Sequence, residues 1–139
     1  MPLVDVSSIP RVALQFQNDD HVREGHLLND VGEALEKYRR GDEGQETVLA
    51  PLDALLEHTR EHFERENQVM LEQRFPAYPV HSAEHARVVA EMEREAWVFR
   101  EQGDAERLWR YISGDVPTWF VNHIQTMDAV TGQFVAMHS

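Results

Sequence analysis

Apolar residues recur along the chain in four successive segments, each with the spacing of a helix face. The segments run from about Gln17 to Arg40, Glu46 to Gln73, Val80 to Gln102 and Asp104 to Met137. Within them the apolar positions lie three or four residues apart, which is the repeat of an amphipathic α-helix. Valine and isoleucine never alternate with polar residues for long enough to indicate a strand. The pattern therefore predicts an all-α protein with four helices.

Turn signals separate these segments. Gly41 and Gly44 follow the first segment, Pro76 and Pro79 close the second, and Gly103 lies where the third helix would be capped. Long helices joined by short connections favour antiparallel neighbours. We therefore expect an antiparallel up-down four-helix bundle.

The fourth segment contains a signal against a continuous helix. The stretch ISGDVPT includes Gly114 and Pro117, so we expect the helix to be broken near these residues. A chain of 139 residues has the usual length of one domain. We expect a single domain over residues 1–139, with an N-terminal arm (1–16) and a helical bundle (17–137).

Composition narrows the possible functions. A formal net charge of -12 disfavours nucleic acid and anionic membrane surfaces as partners, because both require a basic face. The absence of cysteine excludes disulfides and thiolate metal sites. The first residues lack the features of a signal peptide, and no run of about eighteen apolar residues predicts a membrane span. We expect a cytoplasmic protein. Eight histidines are an unusually high number for this length.

Several of these histidines fall on the predicted apolar faces. In the third segment His81 and His85 continue the apolar series, so both imidazoles should point into the bundle. In the second segment His62 and Glu66 occupy the corresponding inward positions. In the fourth segment His123 follows the apolar face.

Asp128 does not fit the same rule. It follows His123 by five residues, which is about 140° around an α-helix, so helical geometry alone does not pair the two side chains. Buried imidazoles and carboxylates cost several kcal/mol unless they are paired or hydrogen-bonded. A metal would compensate them, and nitrogen and carboxylate ligands without sulfur suit iron, manganese or zinc. Two bridging carboxylates would suit a pair of divalent ions.

Simpler interpretations exist for each residue alone. A single inward histidine is more often a hydrogen-bonded core residue than a metal ligand, and a pair of histidines four residues apart is common on helix surfaces. Three helices that each place ligand-type residues on the core face favour a metal site instead.

Three stretches in this order, HFERE, FPAYPVHSAEH and WFVNHIQTMD, resemble the hemerythrin family and in particular the bacterial hemerythrins. Members carry a histidine on the first helix, HFxxE on the second, HxxxH on the third and WxxxHIxxxD on the last. The resemblance extends from about Phe16 to the end of the chain, and it implies the same four-helix bundle.

The resemblance also implies a cofactor of two non-haem iron ions joined by an oxo or hydroxo bridge. One iron would take the nitrogens of His81, His85 and His123. The other would take His62 and a histidine of the first helix. The bridging carboxylates would be Glu66 and Asp128. The spacing of five residues between His123 and Asp128 is the one that the family uses.

The first-helix ligand is either His21 or His26. Counted from His21, the positions seven, ten, fourteen and seventeen residues later are Leu28, Val31, Leu35 and Tyr38. Counted from His26, the positions three, four, seven and eleven residues later are Asn29, Asp30, Glu33 and Lys37, which form a solvated face. We therefore predict His21 as the ligand and His26 as a surface residue.

Reversible dioxygen binding is the function that this resemblance implies, with dioxygen as the partner. Five neutral histidines and only two carboxylates would leave the metals less electron-rich than in carboxylate-dominated di-iron oxygenases, which favours binding over cleavage of the oxygen–oxygen bond. The alternatives are a di-iron oxidase or oxygenase acting on a small organic substrate, and an oxygen or redox sensor. The chain shows no signalling module, so a sensor ranks last.

Several further residues lie close to the predicted ligands in the sequence. His58 lies one turn before His62 and is either a hydrogen-bond partner of the site or a partly exposed helix residue. Asn67 stands where the family often has a second acid, with no evident effect. Trp119 is a candidate neighbour of the ligands. On the basis of helix phase, the candidates for an apolar lining of the site are Leu28, Phe63, Trp119 and Phe120.

Overall fold

The computed structural model describes residues 2–138, which form four long helices. Helix α1 spans Gln15–Arg39, α2 spans Glu46–Glu72 and α3 spans Tyr78–Gln102, while α4 covers residues 105–138. Successive helices run antiparallel and pack side by side, and residues 2–138 contain no strand. The predicted all-α four-helix bundle is confirmed. None of these helices combines the length and apolar character that crossing a membrane requires.

The connections are short and use the residues that the turn signals indicated. Gly41 follows α1 with a φ of 78°. Gly103 ends α3 in the left-handed conformation, with a φ of 65°, and its N–H donates to the carbonyl of Phe99 at 2.7 Å. The Asp104 side chain then accepts from the N–H of Arg107 and caps the start of α4. Two residues therefore reverse the chain between the third and fourth helices.

The apolar half of the bundle is formed where α1 ends, α2 begins, α3 ends and α4 begins. Its side chains are almost fully buried and belong to one cluster that includes Leu35, Leu52, Phe99, Leu108 and Ile112. Apolar area removed from water stabilises the fold by about 25 cal/mol per Å². Because neighbouring helices are antiparallel, the other half joins the start of α1, the end of α2, the start of α3 and the end of α4.

Helix α4 contains two π-helical segments. The first, Tyr111–Asp115, lies at the predicted break, and the N–H of Val116 bonds to the carbonyl of Tyr111 five residues earlier. The expected disruption near Gly114 and Pro117 therefore takes the form of a widened turn, and the helix continues through it. Pro117, which has no N–H, occupies the first turn of the following α-helical segment, where none is required. The second π segment, Ile124–Asp128, bears on the site described below.

The residues before α1 pack against that helix. The side-chain oxygen of Asn29 accepts from the N–H groups of Leu3 and Val4 at 2.8 and 2.9 Å, and its amide nitrogen donates to the Val4 carbonyl. A Cβ atom on Gly32 would lie 2.8 Å from the Leu3 side chain, so glycine permits this close approach. The arm thus covers part of the α1 surface.

Candidate metal centre

The seven candidate ligands all lie inside the half of the bundle opposite the apolar core. Each helix contributes at least one of them, and none is more than 4 % exposed. They are His21 on α1, His62 and Glu66 on α2, His81 and His85 on α3, and His123 and Asp128 on α4. The α-helical repeat explains the pairs on α2 and α3, because residues four apart share a face. The structure brings all seven into one buried cluster.

The cluster divides into two groups of possible donor atoms, and within each group these atoms lie within 4.8 Å of one another. The first group consists of Glu66, His81, His85, His123 and Asp128. The second group consists of His21, His62, Glu66 and Asp128. Both carboxylates therefore belong to both groups, while each of the five histidines belongs to one of the two. A third group, formed by Glu24, His58 and His62, meets the cluster at His62.

Each shared carboxylate presents one oxygen to each group. Glu66 Oε1 lies 3.2 Å from His85 Nε2, and Glu66 Oε2 lies 3.3 Å from His62 Nε2. Asp128 Oδ1 lies 3.1 Å from the Nε2 atoms of both His81 and His123, whereas Asp128 Oδ2 lies 2.9 Å from His21 Nε2. This is the arrangement in which a carboxylate can bridge two cations.

The second π segment of α4 brings His123 and Asp128 together. Over Ile124–Asp128 the backbone bonds from residue i to residue i+5, so residues five apart are placed on the same face. In an α-helix the same two side chains would diverge by about 140°. The wider turn therefore accounts for a spacing that α-helical geometry does not.

The structure separates the two histidines considered on α1. His21 is fully buried, and its ring meets that of His62 edge to face at 5.3 Å between centroids. His26 is exposed on the outer face of α1. The cluster includes His21 and excludes His26.

Neighbouring side chains fix the outer nitrogens of two histidines. His85 Nδ1 lies 2.8 Å from the side-chain oxygen of Asn67, which can only accept from it. His81 Nδ1 lies 2.8 Å from the hydroxyl of Thr131, and that hydroxyl points its own hydrogen at Met70 Sδ, 3.9 Å away. Both Nδ1 atoms are therefore protonated, which leaves the Nε2 lone pairs directed into the cluster. Asn67 thus has a structural contact that the sequence did not suggest.

Gln17 is a second contact that sequence reasoning missed. It is fully buried, and its amide nitrogen donates to Glu66 Oε2 at 3.0 Å. Gly132 makes room for it, because a Cβ atom there would lie 2.6 Å from Gln17 Oε1. A signal was available, since Gln17 precedes His21 by one helical turn on the same face.

His58 and Trp119 both lie beside the cluster. His58 is half-buried, with Nε2 3.1 Å from the backbone carbonyl of Asp20. Trp119 stacks on His123 at 4.4 Å between ring centroids, and its indole N–H donates to Glu84 at 2.9 Å. A hydrogen bond from Arg87, together with that of Trp119, lowers the pKa of Glu84 to about 2. Glu84 is therefore ionised at neutral pH and anchors the indole over the imidazole.

The electrostatics keep both shared carboxylates ionised. Burial and the charge of Asp128 raise the pKa of Glu66, but His62 and His85 outweigh them and hold it below its ordinary value. Burial likewise raises the pKa of Asp128, but the neighbouring imidazoles of His123, His21 and His81 lower it well below the usual range. Burial lowers the pKa of His85, which favours the neutral imidazole that binds metals.

The pKa of His62 moves the other way. Burial by itself lowers it, but the carboxylates of Glu66 and Glu24 raise it well above its ordinary value. A cation placed between these groups would replace the proton on His62, so binding a metal and losing a proton are coupled.

The donor set fits metal ions. Glu66 Oε1, Asp128 Oδ1 and His85 Nε2 are buried atoms without a hydrogen-bond partner in residues 2–138, and all three belong to the first group. Native proteins rarely leave such atoms unsatisfied. Imidazole nitrogens and carboxylate oxygens, with no sulfur among them, are the ligands of iron, manganese and zinc.

A cavity of about 520 Å³ adjoins the cluster. Its walls include His62, His123 and Asp128, together with the aromatic side chains of Phe63, Tyr111, Trp119 and Phe120. Three of the four residues expected to form an apolar lining thus border it. The fourth, Leu28, lies in the apolar core. The cavity therefore lies directly against the cluster.

Comparison with known proteins agrees with this geometry. Residues 12–134 match the model of the hemerythrin HHE cation binding domain. The chain is 26% identical to a bacteriohemerythrin of Aquifex aeolicus (strain VF5) over 131 residues, which cover 94% of this chain and 96% of that protein. It is 30% identical to a bacteriohemerythrin of Ralstonia nicotianae (strain ATCC BAA-1114 / GMI1000) over 136 residues, covering 98% and 91%. No solved structure gives a significant match. With the family model covering most of its length and a donor cluster drawn from all four helices, the chain belongs to the hemerythrin family.

Proposed function

We propose that this protein holds two iron ions between the seven clustered residues and binds dioxygen reversibly. The observation that carries the proposal is the division of the donors into two groups that share the carboxylates of Glu66 and Asp128. Each carboxylate presents one oxygen to each group. A single ion needs no such sharing, whereas a pair of ions held close together does. Two ferrous ions at this position would supply the electrons that hold dioxygen.

The two groups differ in a way that supports ligand binding at one of them. The first contains five possible donors and the second contains four, so the second leaves more room for an external ligand. His62 and Asp128 of the second group also line the cavity, so a small molecule can approach that side. Gln17 is buried and donates to Glu66 Oε2, the oxygen that faces His62.

The protein's own residues would favour binding over further reaction. Five imidazoles and two carboxylates would surround the ions with only two negative charges. The rings of Phe63 and His85 stack at 4.0 Å between centroids, which would limit the access of water to the His85 side of the cluster. Asn67 and Thr131 hold the imidazoles of His85 and His81 in one tautomer, which preserves the site through cycles of loading and release.

An oxygen titration tests the function. Iron-loaded protein is reduced without oxygen, and measured amounts of dioxygen are then added while the visible spectrum is recorded. We expect a charge-transfer band that saturates at one dioxygen per two irons and disappears when oxygen is removed by argon. Zinc-loaded protein, which cannot donate electrons, serves as the control and should develop no band.

An oxidase or oxygenase is the second candidate, and the volume of the cavity is the observation that favours it. In that case the same titration would consume dioxygen without recovery of the reduced spectrum. Continuous consumption in the presence of an added organic molecule, with formation of an oxidised product, would replace dioxygen storage by enzymatic oxidation as the function.

A further inference from the structure

The cavity beside the cluster is much larger than dioxygen requires. Its volume is about 520 Å³, whereas a water molecule in the liquid occupies about 30 Å³. Sites for small organic ligands range from about 300 to 1,000 Å³. Only three of the seven cluster residues form part of its wall, so the cavity extends beyond the space between the donor atoms. The cavity has the size of an organic-ligand site.

Its walls are mainly aromatic and apolar. Phe63 and Trp119 approach each other edge to face at 6.0 Å between centroids, and Phe120 continues the same surface. The first π segment of α4 supplies Tyr111 and Gly114, so the widened turn forms part of the wall. Such a surface suits a ligand with an apolar body, and aromatic faces also attract organic cations.

One buried carboxylate on the wall lacks sufficient hydrogen-bond donors. Glu24 is 6% exposed, and its two oxygens lie 2.7 and 2.9 Å from the hydroxyl of Thr59. That hydroxyl also lies 2.8 Å from the carbonyl of Leu55, and it has only one hydrogen to share among these acceptors. His62 Nδ1, at 4.0 Å, is beyond hydrogen-bond distance. The carboxylate can therefore accept further hydrogen bonds from a molecule in the cavity.

The remaining charges on the wall favour a cation over an anion. Outside the seven clustered residues, Glu91 and Asp115 are acidic, and Arg87 is the only lysine or arginine among the residues that line the cavity. Arg87 already bonds to Glu84 at 2.6 Å and to Glu91 at 3.4 Å. An anionic ligand would meet a surplus of negative charge, whereas an ammonium group would reduce it.

We propose that the cavity binds a small organic ammonium compound, with its ammonium group on Glu24 and its apolar body against Phe63, Trp119 and Phe120. The proposal goes beyond dioxygen binding and does not depend on it, because neither Glu24 nor these rings belong to the two donor groups that share Glu66 and Asp128. The bound molecule would lie within the same chamber that leads to the cluster.

Calorimetric titration of the zinc-loaded protein tests this proposal without any redox chemistry. The probe is 2-phenylethylammonium, compared with two molecules of the same shape: neutral 2-phenylethanol and anionic 3-phenylpropionate. We expect the ammonium compound to bind with a Kd below 1 mM, the alcohol to bind about tenfold more weakly, and the carboxylate to give no measurable binding; these values are order-of-magnitude expectations for one charge-assisted hydrogen bond.

The variant Glu24→Gln should weaken binding of the ammonium compound about tenfold or more and leave the alcohol nearly unchanged. Unchanged alcohol binding also shows that the variant is folded with its cavity intact. Glu33→Gln is the matched control, because Glu33 lies on the same helix with an exposed side chain paired to Lys37. It should bind all three molecules as the unmodified protein does.

Three results would overturn the proposal. They are the absence of heat with the ammonium compound at millimolar concentration, equal affinity for ammonium and carboxylate, and binding confined to protein without zinc. The last result would mean that the ammonium group occupies the place of the metal. Since zinc-loaded protein binds no dioxygen by electron transfer, failure here leaves the proposed function untouched, and failure of the oxygen titration leaves this inference untouched.

Discussion

The two ends of the bundle are built from the same four helices but bury different chemistry. At one end Leu35, Leu52 and Phe99 belong to one cluster of buried apolar side chains. At the other end His21, Glu66 and their neighbours are equally buried, yet several of their polar atoms have no partner in residues 2–138. Burial stabilises the first end directly, whereas the second end needs a bound cation for the same burial to be favourable.

This difference separates stability from metal binding along each helix. On α2, Leu52 lies in the apolar half, while His62 and Glu66 lie ten and fourteen residues later in the cluster. A substitution in one end should therefore change one property and spare the other. The following variants test that separation, starting with the largest expected effect.

Leu52→Ala should lower the unfolding free energy of the metal-free protein by about 2–5 kcal/mol, because it leaves a cavity in a tightly packed region. The number of ions bound at saturating metal should stay at the unmodified value. Denaturant unfolding and metal analysis of the same samples check both. Leu71→Ala, on the same helix but 51% exposed, should change the unfolding free energy by less than about 0.5 kcal/mol.

His21→Ala should reduce metal binding and largely spare the unfolding free energy of the metal-free protein. We expect it to bind one ion fewer and to lose part of the stabilisation that metal confers, which is about 2.7 kcal/mol for a ligand present at one hundred times its Kd. His26→Ala, with the exposed histidine five residues later, should bind metal normally. Loss of an ion in His26→Ala but not in His21→Ala would refute the assignment on α1.

Asn67→Ala should weaken metal binding about 10–100-fold, or about 1.4–2.7 kcal/mol, because His85 loses the acceptor that fixes its tautomer. Competition with a chelator of known affinity measures the change. Asn122→Ala, an exposed asparagine on α4, is the control and should bind metal with unchanged affinity. Equal weakening in both variants would argue against a specific role of Asn67.

The smallest effect concerns the pH dependence of stability that the buried groups of the cluster produce. The pKa values of Glu66 and Asp128 are lowered by folding, so their stabilisation is present above about pH 4 and is lost as the pH falls below it. The pKa of His62 is raised, so its contribution is present below about pH 6.5 and is lost as the pH rises through the raised value. One proton changes the stability by at most about 1.4 kcal/mol per pH unit.

Unfolding free energies of the metal-free protein across pH 3 to 8, a range chosen to span roughly the ordinary pKa values of these groups, test this expectation. Leu52→Ala should shift the whole profile downward with little change of shape. Asp128→Asn should flatten its acid side. An unaltered acid side in Asp128→Asn would mean that this carboxylate contributes no pH-dependent stability.

The sequence predicts most of the fold because α-helical repeats are local. Residues three and four apart share a face, so the apolar series and the inward positions of His62, Glu66, His81 and His85 follow from counting along the chain. The choice between His21 and His26 was also accessible, since one falls in phase with Leu28 and Leu35 and the other does not. Glycine at position 103 also indicated the end of the third helix, because glycine readily adopts the left-handed conformation that is found there.

The remaining features depend on contacts that no local pattern records. The π segment Ile124–Asp128 contains neither glycine nor proline. Its composition therefore does not predict the wider turn that pairs His123 with Asp128. The hydrogen bond from His85 to Asn67 joins residues 18 apart in the chain. From the sequence alone, Glu24 would be expected on the surface like the other acidic residues of α1. The packing of α1 against α2 buries it beside Thr59.

Iron titration is the measurement that tests the central claim most directly. Ferrous iron is added without oxygen to metal-free protein, and the bound metal is counted after removal of the excess. The shared oxygens of Glu66 and Asp128 predict saturation at two irons per chain and at about one in His21→Ala. Saturation at one iron in the unmodified protein, or no binding, would contradict a paired site between these four helices.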